Sequence, residues 1–265
     1  MPAFASIDKI ADWSGRNHLV IGALGTLISI AALGISAATL WASQSEVIDH
    51  AHETSRNIAA VLVGEIARTV DTSNSTLIAL ASNFSNPAVR RMDPTLRHDL
   101  LFKRTIAPYM TGMGVTDRHG QLIDGCCGPN HRWNFGNRDY FTVHRDSDNV
   151  GLYMSDVYRA RSRNGKESIA LSRRIELPDH RFNGIAVVAI DLAYFDHLLS
   201  GLDVGPNGVS GIVRIDGTVL ARNPPANDKQ IASFRRSKSF ERMASSEAGF
   251  FAARSSIDGT ERLYT

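Results

Sequence analysis

The residues best suited to hold a small polar molecule lie between positions 133 and 158. Trp133, Arg138, Tyr140 and Phe141 occur within nine positions, and Tyr153, Asp156 and Tyr158 follow. A polar ligand in a protein cleft needs an apolar or aromatic wall and one or two charged anchors. An arginine supplies the anchor well, because its planar fork meets a carboxylate through two parallel hydrogen bonds. All seven residues are therefore expected ligand contacts. The competing reading pairs Arg138 with its neighbour Asp139 at the surface and leaves the aromatics to pack a core.

Other reactive residues make weaker patterns. Cys126-Cys127 could close a strained ring in an oxidising compartment, or join His119 or His131 at a metal. A loop after a strand accounts for them equally, and no metal site is expected. Arg159, Arg161 and Arg163, with Lys166, alternate along one face of a turn, as a solvated hairpin tip would. No nucleophile elbow, HExxH, P-loop or GxGxxG pattern occurs, so neither a catalytic residue nor a cofactor is expected. With 29 basic and 27 acidic residues and a formal charge of +2, the chain has no concentrated basic surface for nucleic acid.

The elements around these residues fall into three stretches. Leu19 to Ala42 carries no charge, is longer than the roughly 20 residues a bilayer core requires, and ends on Trp41. It is expected to be a retained transmembrane helix, since the apolar stretch of a cleavable signal is much shorter. Lys9 and Arg16 precede it and Arg56 is the first Lys or Arg after it, which favours a cytoplasmic N-terminus at 1–18. From 43 to 86 a stripe of Val47, Ala51, Ile58, Leu62, Ile66, Val70, Leu77 and Ala81 predicts one long helix, ended by Pro87 and the turn at 91–94. Its stripe is expected to pack on its own domain and also to form a dimer seam.

After residue 110 the pattern changes to strands and tight turns. Strands are expected at 114–116, 121–123, 152–158, 167–175 and 184–192, then a helix at 193–202. Beyond Gly205-Pro206-Asn207-Gly208 the pattern restarts: strands at 209–215 and 218–222, a helix at 234–245, and strands at 249–255 and 261–265. GVTDRHGQL at 114–122 parallels IVRIDGTVL at 212–220, and 151–171 parallels 249–265, which reads as an internal repeat. The second copy stops where the first has its central strand, so the chain is expected to end inside a domain.

The run from Asn137 to Gly208, followed by IVRIDGTVLAR and IDGTERLY, resembles a double Cache sensor. The most specific parts are Arg138-Asp139-Tyr140, the strand from Tyr153 to Tyr158, and Ser172-Arg173-Arg174. The resemblance covers roughly 45–265 and is greatest to the input regions of GGDEF-type diguanylate cyclases. It implies an α+β chain: a transmembrane helix (19–42) continuing into a long helix (43–86), then two PAS-like antiparallel-sheet modules, membrane-distal (87–204) and membrane-proximal (205–265, incomplete). It implies small-ligand sensing at the inner membrane, with the sensor region in the periplasm and a second copy of the chain as partner. The expected output is a diguanylate cyclase domain outside this sequence, the alternatives being a histidine kinase, a chemoreceptor, or a tethered binding module with no output. Amino-acid-binding Cache domains have a tyrosine, an arginine five residues on, then tryptophan and tyrosine. Trp133, Arg138, Tyr140 and Phe141 occupy those places with altered aromatics. The aspartate that holds the ligand amine falls, by spacing, at Ala160, so a carboxylate or other small anion is the expected ligand.

Overall fold

The computed structural model describes residues 18–103, 107–126, 133–161, 164–245 and 249–265, and the chain divides into two compact units at Arg56/Asn57. Helix α1 is His18–Ser85. Its first part is apolar and wholly exposed, with Leu19 77 % and Trp41 81 % accessible, and is long and apolar enough to cross a membrane. Such exposure suits a lipid solvent and not water. The helix stops where the sequence indicates. Asn86 accepts from Ala88 N to start α2 (Pro87–Arg91), and Asp93 accepts from Thr95 N and Leu96 N to start α3 (Pro94–Leu101). Both have proline in the first turn, where no N–H is missed.

In the second unit, six strands form one antiparallel sheet. They are β1 (Met110–Thr116), β2 (Leu122–Gly125), β3 (Tyr153–Met154), β4 (Tyr158–Arg159), β5 (Glu167–Glu176) and β6 (Phe182–Asp191). The order is β2-β1-β6-β5-β3, with β4 also on β5. Side chains alternate between its two faces. Val115, Ile169, Leu171, Ile175, Ala186, Val188 and Ile190 face α1, which lays Leu77, Leu80 and Phe84 on them. Ala170, Ile185 and Val187 face the other way, beneath Tyr140 and Phe141 of α4 (Asp139–Asp146). Polar ties fix the α1 face: Tyr194 Oη lies 2.9 Å from Thr69 Oγ1, and Arg173 Nε donates to Asn74 Oδ1 at 2.6 Å. At the sheet edge, fully buried Asp124 of β2 accepts from Arg97 Nε at 3.1 Å and lies 2.9 Å from His98 Nδ1, tying α3 to β2.

Three elements differ from the sequence reading. The strand expected at 152–158 is two short strands, because Ser155 turns its Oγ to accept from Ala170 N and Asp156 N–H points to Asp139. The segment 139–146 is a helix that the alternating pattern around it did not announce. The remaining elements are α5 (Leu192–Ser200), β7 (Ser210–Val213), β8 (Val219–Asn223), α6 (Asp228–Arg235), α7 (Lys238–Ala244), β9 (Phe251–Arg254) and β10 (Glu261–Tyr264). The helix expected at 234–245 is two, since Ser237 caps a new helix by accepting from Phe240 N. The β7–β8 and β9–β10 hairpins are separate two-stranded sheets. The proposed repeat appears as hairpins β1–β2 and β7–β8, each turning through a left-handed glycine, Gly120 at φ 81° and Gly217 at φ 84°.

His144 sits under α4, fully buried, with Nε2 3.0 Å from Ser172 Oγ and Nδ1 without a partner among the described residues. Burial lowers its pKa to about 4, with the nearby Arg174 and Arg173 adding to the effect and the Ser172 bond opposing it. The unfolded chain takes up this proton near pH 6.5, whereas the folded chain resists until about pH 4. The stability His144 contributes is therefore complete above pH 6.5 and declines as pH falls through that window, by about 3 kcal/mol at most. Denaturant titrations at several pH values should show this slope reduced in His144→Gln. An unchanged slope contradicts the assignment.

Candidate functional site

The site is built on the pocket face of the sheet. Residues 127–132 lie outside the described residues, so nothing is assigned to Cys127 or His131. Cys126 Sγ accepts from Met113 N at 3.3 Å. The chain returns at Trp133, whose carbonyl accepts from Leu122 N at 2.8 Å, and Phe135 N donates to Gly120 O at 2.7 Å. These bonds lay 133–135 along the β1–β2 hairpin. Arg138 then enters α4 as its N-cap, in extended conformation and with no capping bond from its side chain. A guanidinium has no acceptor with which to cap; it lies 5.1 Å over the Tyr158 ring and donates Nη2 to Arg159 O at 3.4 Å. Its buried Nε has no partner among the described residues.

The pocket beneath it is lined by Trp133, Phe135, Tyr140 and Tyr158 as aromatic wall, and by Arg138 and Arg161. Its floor is small: Gly112 and Gly114 of β1, Val187 and Ala189 of β6, and Gly125. At Gly125 there is no room for a side chain, for a Cβ would stand 2.6 Å from the Met113 carbonyl oxygen. The cavity measures about 70 Å³. Tyr140 is 2 % exposed, its ring 5.6 Å from Tyr158 and 6.1 Å from Phe135. Burial pushes its phenol well above the usual range, and Tyr158 and Asp139 add to this against Arg138. Tyr140 is thus a neutral hydroxyl, a donor or acceptor and never an anion.

The electrostatics are one-sided. No Asp or Glu lines the pocket, and the undescribed 127–132 and 162–163 contain none. Among the described residues neither Arg138 nor Arg161 has a carboxylate partner; Arg161 Nη1 donates to Asn134 O at 3.3 Å. Asp139 does not pair with Arg138. Its Oδ2 accepts from Asp156 N at 2.8 Å and from Tyr153 Oη at 3.3 Å.

Of the seven residues expected to meet a ligand, the structure brings together Trp133, Arg138, Tyr140 and Tyr158. Phe141, one position on and about 100° around the helix from Tyr140, is 1 % exposed in the core, edge-on to Phe182 at 5.4 Å. Tyr153 packs on His144 and bonds Asp139, and burial raises its pKa, with Asp139 adding to the rise. Asp156 is exposed and pairs with Arg214 at 3.2 Å. Arg161, read as part of a hairpin tip, belongs to the pocket, as do Phe135 and the β1 glycines. Met110-Thr-Gly-Met-Gly, with glycine on every second residue, was the available signal for a strand face with no side chains.

The architecture is that of Cache sensor domains. Residues 192–265 match the family model dCache_1_like, described as a histidine kinase sensor domain. None of the curated proteins is similar in sequence. Among solved structures, the extracellular domain of rpHK1S-Z16 is similar at 21 % identity and TM-score 0.51, over 83 % of this chain and 88 % of that one. The sensory domain of the Campylobacter jejuni chemoreceptor Tlp3 with isoleucine bound is similar at 14 % identity and TM-score 0.58, over 80 % and 85 %. The ligand-binding domain of the Pseudomonas fluorescens chemoreceptor CtaA, in complex with L-valine, is similar at 14 % and 0.51, over 69 % and 77 %.

These placements predict separable effects on stability. Phe141→Ala should cost about 3–5 kcal/mol, as large core truncations do. Arg138→Ala strands no buried charge and should cost under about 1 kcal/mol. Chemical denaturation measures both, and equal losses would return Arg138 to a structural role.

Proposed function

We propose that this chain is the sensory input region of a receptor in the bacterial inner membrane. In this reading residues 1–18 are cytoplasmic, 19–42 span the bilayer, and the chain from 43 onward lies in the periplasm. The modules are the long helix 43–86, a distal Cache module 87–204 that binds a small carboxylate or similar small anion, and a proximal module 205–265. The observation that carries the ligand class is a pocket with two guanidinium groups and no carboxylate. The solved relatives include domains with bound isoleucine and valine. An amino acid brings an ammonium group, and burying it without an anionic partner is costly. At the place expected for that partner stands Ala160, 3 % exposed in the pocket wall.

Occupancy favours one arrangement of sheet and α1 over another, and the helix carries the difference toward the membrane. A second copy of the chain packs along α1, where Val63 and Ile78, about 60° apart around the helix, are 66 % and 49 % exposed. The output is a diguanylate cyclase, on the resemblance of 137–208 to cyclase input regions. Histidine kinase output is the second reading, favoured by the description of the family model that 192–265 match.

Calorimetric titration of the full chain in detergent tests the ligand class with matched pairs. Propionate should bind at least about tenfold more tightly than alanine, the same skeleton with an ammonium. Arg138→Ala should lose about tenfold or more of that affinity, as charged hydrogen bonds do. Tighter binding of alanine would overturn the assignment.

A further inference from the structure

Arg214 lies in the β7–β8 turn, outside the sheet that holds the pocket, yet its guanidinium reaches the loop between β3 and β4. Nη1 donates to Ser155 O at 2.9 Å and meets Asp156 Oδ1 at 3.2 Å, while Nη2 is 3.2 Å from Asp216 Oδ2. The side chain is only 22 % exposed, against 79 % for Asp156. Its base is rigid as well. Arg214 N donates to Thr218 O at 2.8 Å, Gly217 N to Arg214 O at 2.9 Å, and Thr218 N to Asp216 Oδ1 at 2.8 Å.

The loop that Arg214 grips is fixed on its other side. Ser155 N donates to Ala170 O and Ser155 Oγ accepts from Ala170 N, both at 2.8 Å. Held between β5 and Arg214, the loop presents Asp156 N–H to Asp139 Oδ2 at 2.8 Å. Asp139 is the first residue of α4, between Arg138 and Tyr140, both of which line the pocket. The path from Arg214 to the pocket is thus two bonded contacts long, and each has ordinary hydrogen-bond length.

We infer that Arg214 is a positioning residue of the anion pocket. Through the Ser155 carbonyl and the Asp156 amide it sets Asp139, and so the start of α4 with Arg138 and Tyr140. This inference rests on reading the pocket as the ligand site. The hairpin of residues 210–223 braces the pocket from outside its sheet, and a shift of either one strains the other. A planar fork can serve a carbonyl and two carboxylates at once in a way that an ammonium cannot.

Hydrogen exchange on the full chain, with no ligand added, tests the brace. Arg214→Ala should speed exchange of 139–146 and of Asp156 about tenfold, leaving 185–191 unchanged. Arg214→Lys should restore part of the protection. Asp156→Ala keeps both backbone contacts and should stay near wild type. Unchanged exchange at 139–146, or an equal rise at 185–191, would overturn the inference. A local rise when neither propionate nor alanine binds would sustain the brace and sink the ligand reading. Normal propionate binding with no rise would do the reverse.

Discussion

Side-chain alternation along β1, β5 and β6 is the constraint on which the rest depends. A strand presents successive residues to opposite faces, and a slip of one position exchanges them all. Here one face buries Val115, Leu171 and Val188 against α1, and the other leaves Gly112, Gly114 and Ala189 as the floor of a cavity. The large residues fix the register and the small ones inherit the opening. The face toward α1 draws on all three strands and the pocket floor on β1 and β6, so neither face can shift in register without the other.

The proposed ligand site rests on guanidinium groups that no carboxylate neutralises among the described residues. Arg138 stands at the start of α4 without a carboxylate partner among the described residues, and Asp139 turns to Asp156 and Tyr153 instead of pairing with it. The positive end of a helix already disfavours an added cation nearby. A guanidinium held there against a tyrosine ring retains its demand for an anion. Arg161 adds a second guanidinium to the lining, and Ala160 stands where the resemblance places the acid for an amine.

Much of this was legible in the sequence, for identifiable reasons. The apolar run 19–42, the stripe on 43–86 and the long alternating strands are strong patterns that tertiary context had no cause to override. The helix at 139–146 was not legible, because its buried residues Tyr140, Phe141 and His144 are too few and too mixed to show a period. That omission explains why only four of the seven expected residues meet at the pocket. Without a helix, Tyr140 and Phe141 read as joint contacts, whereas helical rotation sends Phe141 into the core. Asp156 looked like an anchor since its partner, Arg214, is 58 positions away. Arg161 looked like a solvated tip, as the cavity forms only when β1 and β6 are laid beside it.

The central claim is that Arg138 and Arg161 together hold an anion without an ammonium group. The most direct measurement is side-chain nitrogen NMR of the arginines in the full chain, with the two signals assigned through Arg138→Lys and Arg161→Lys. Propionate should shift both signals together and saturably, and alanine should leave them in place. Shifts confined to other arginines, or an equal response to alanine, would contradict the account.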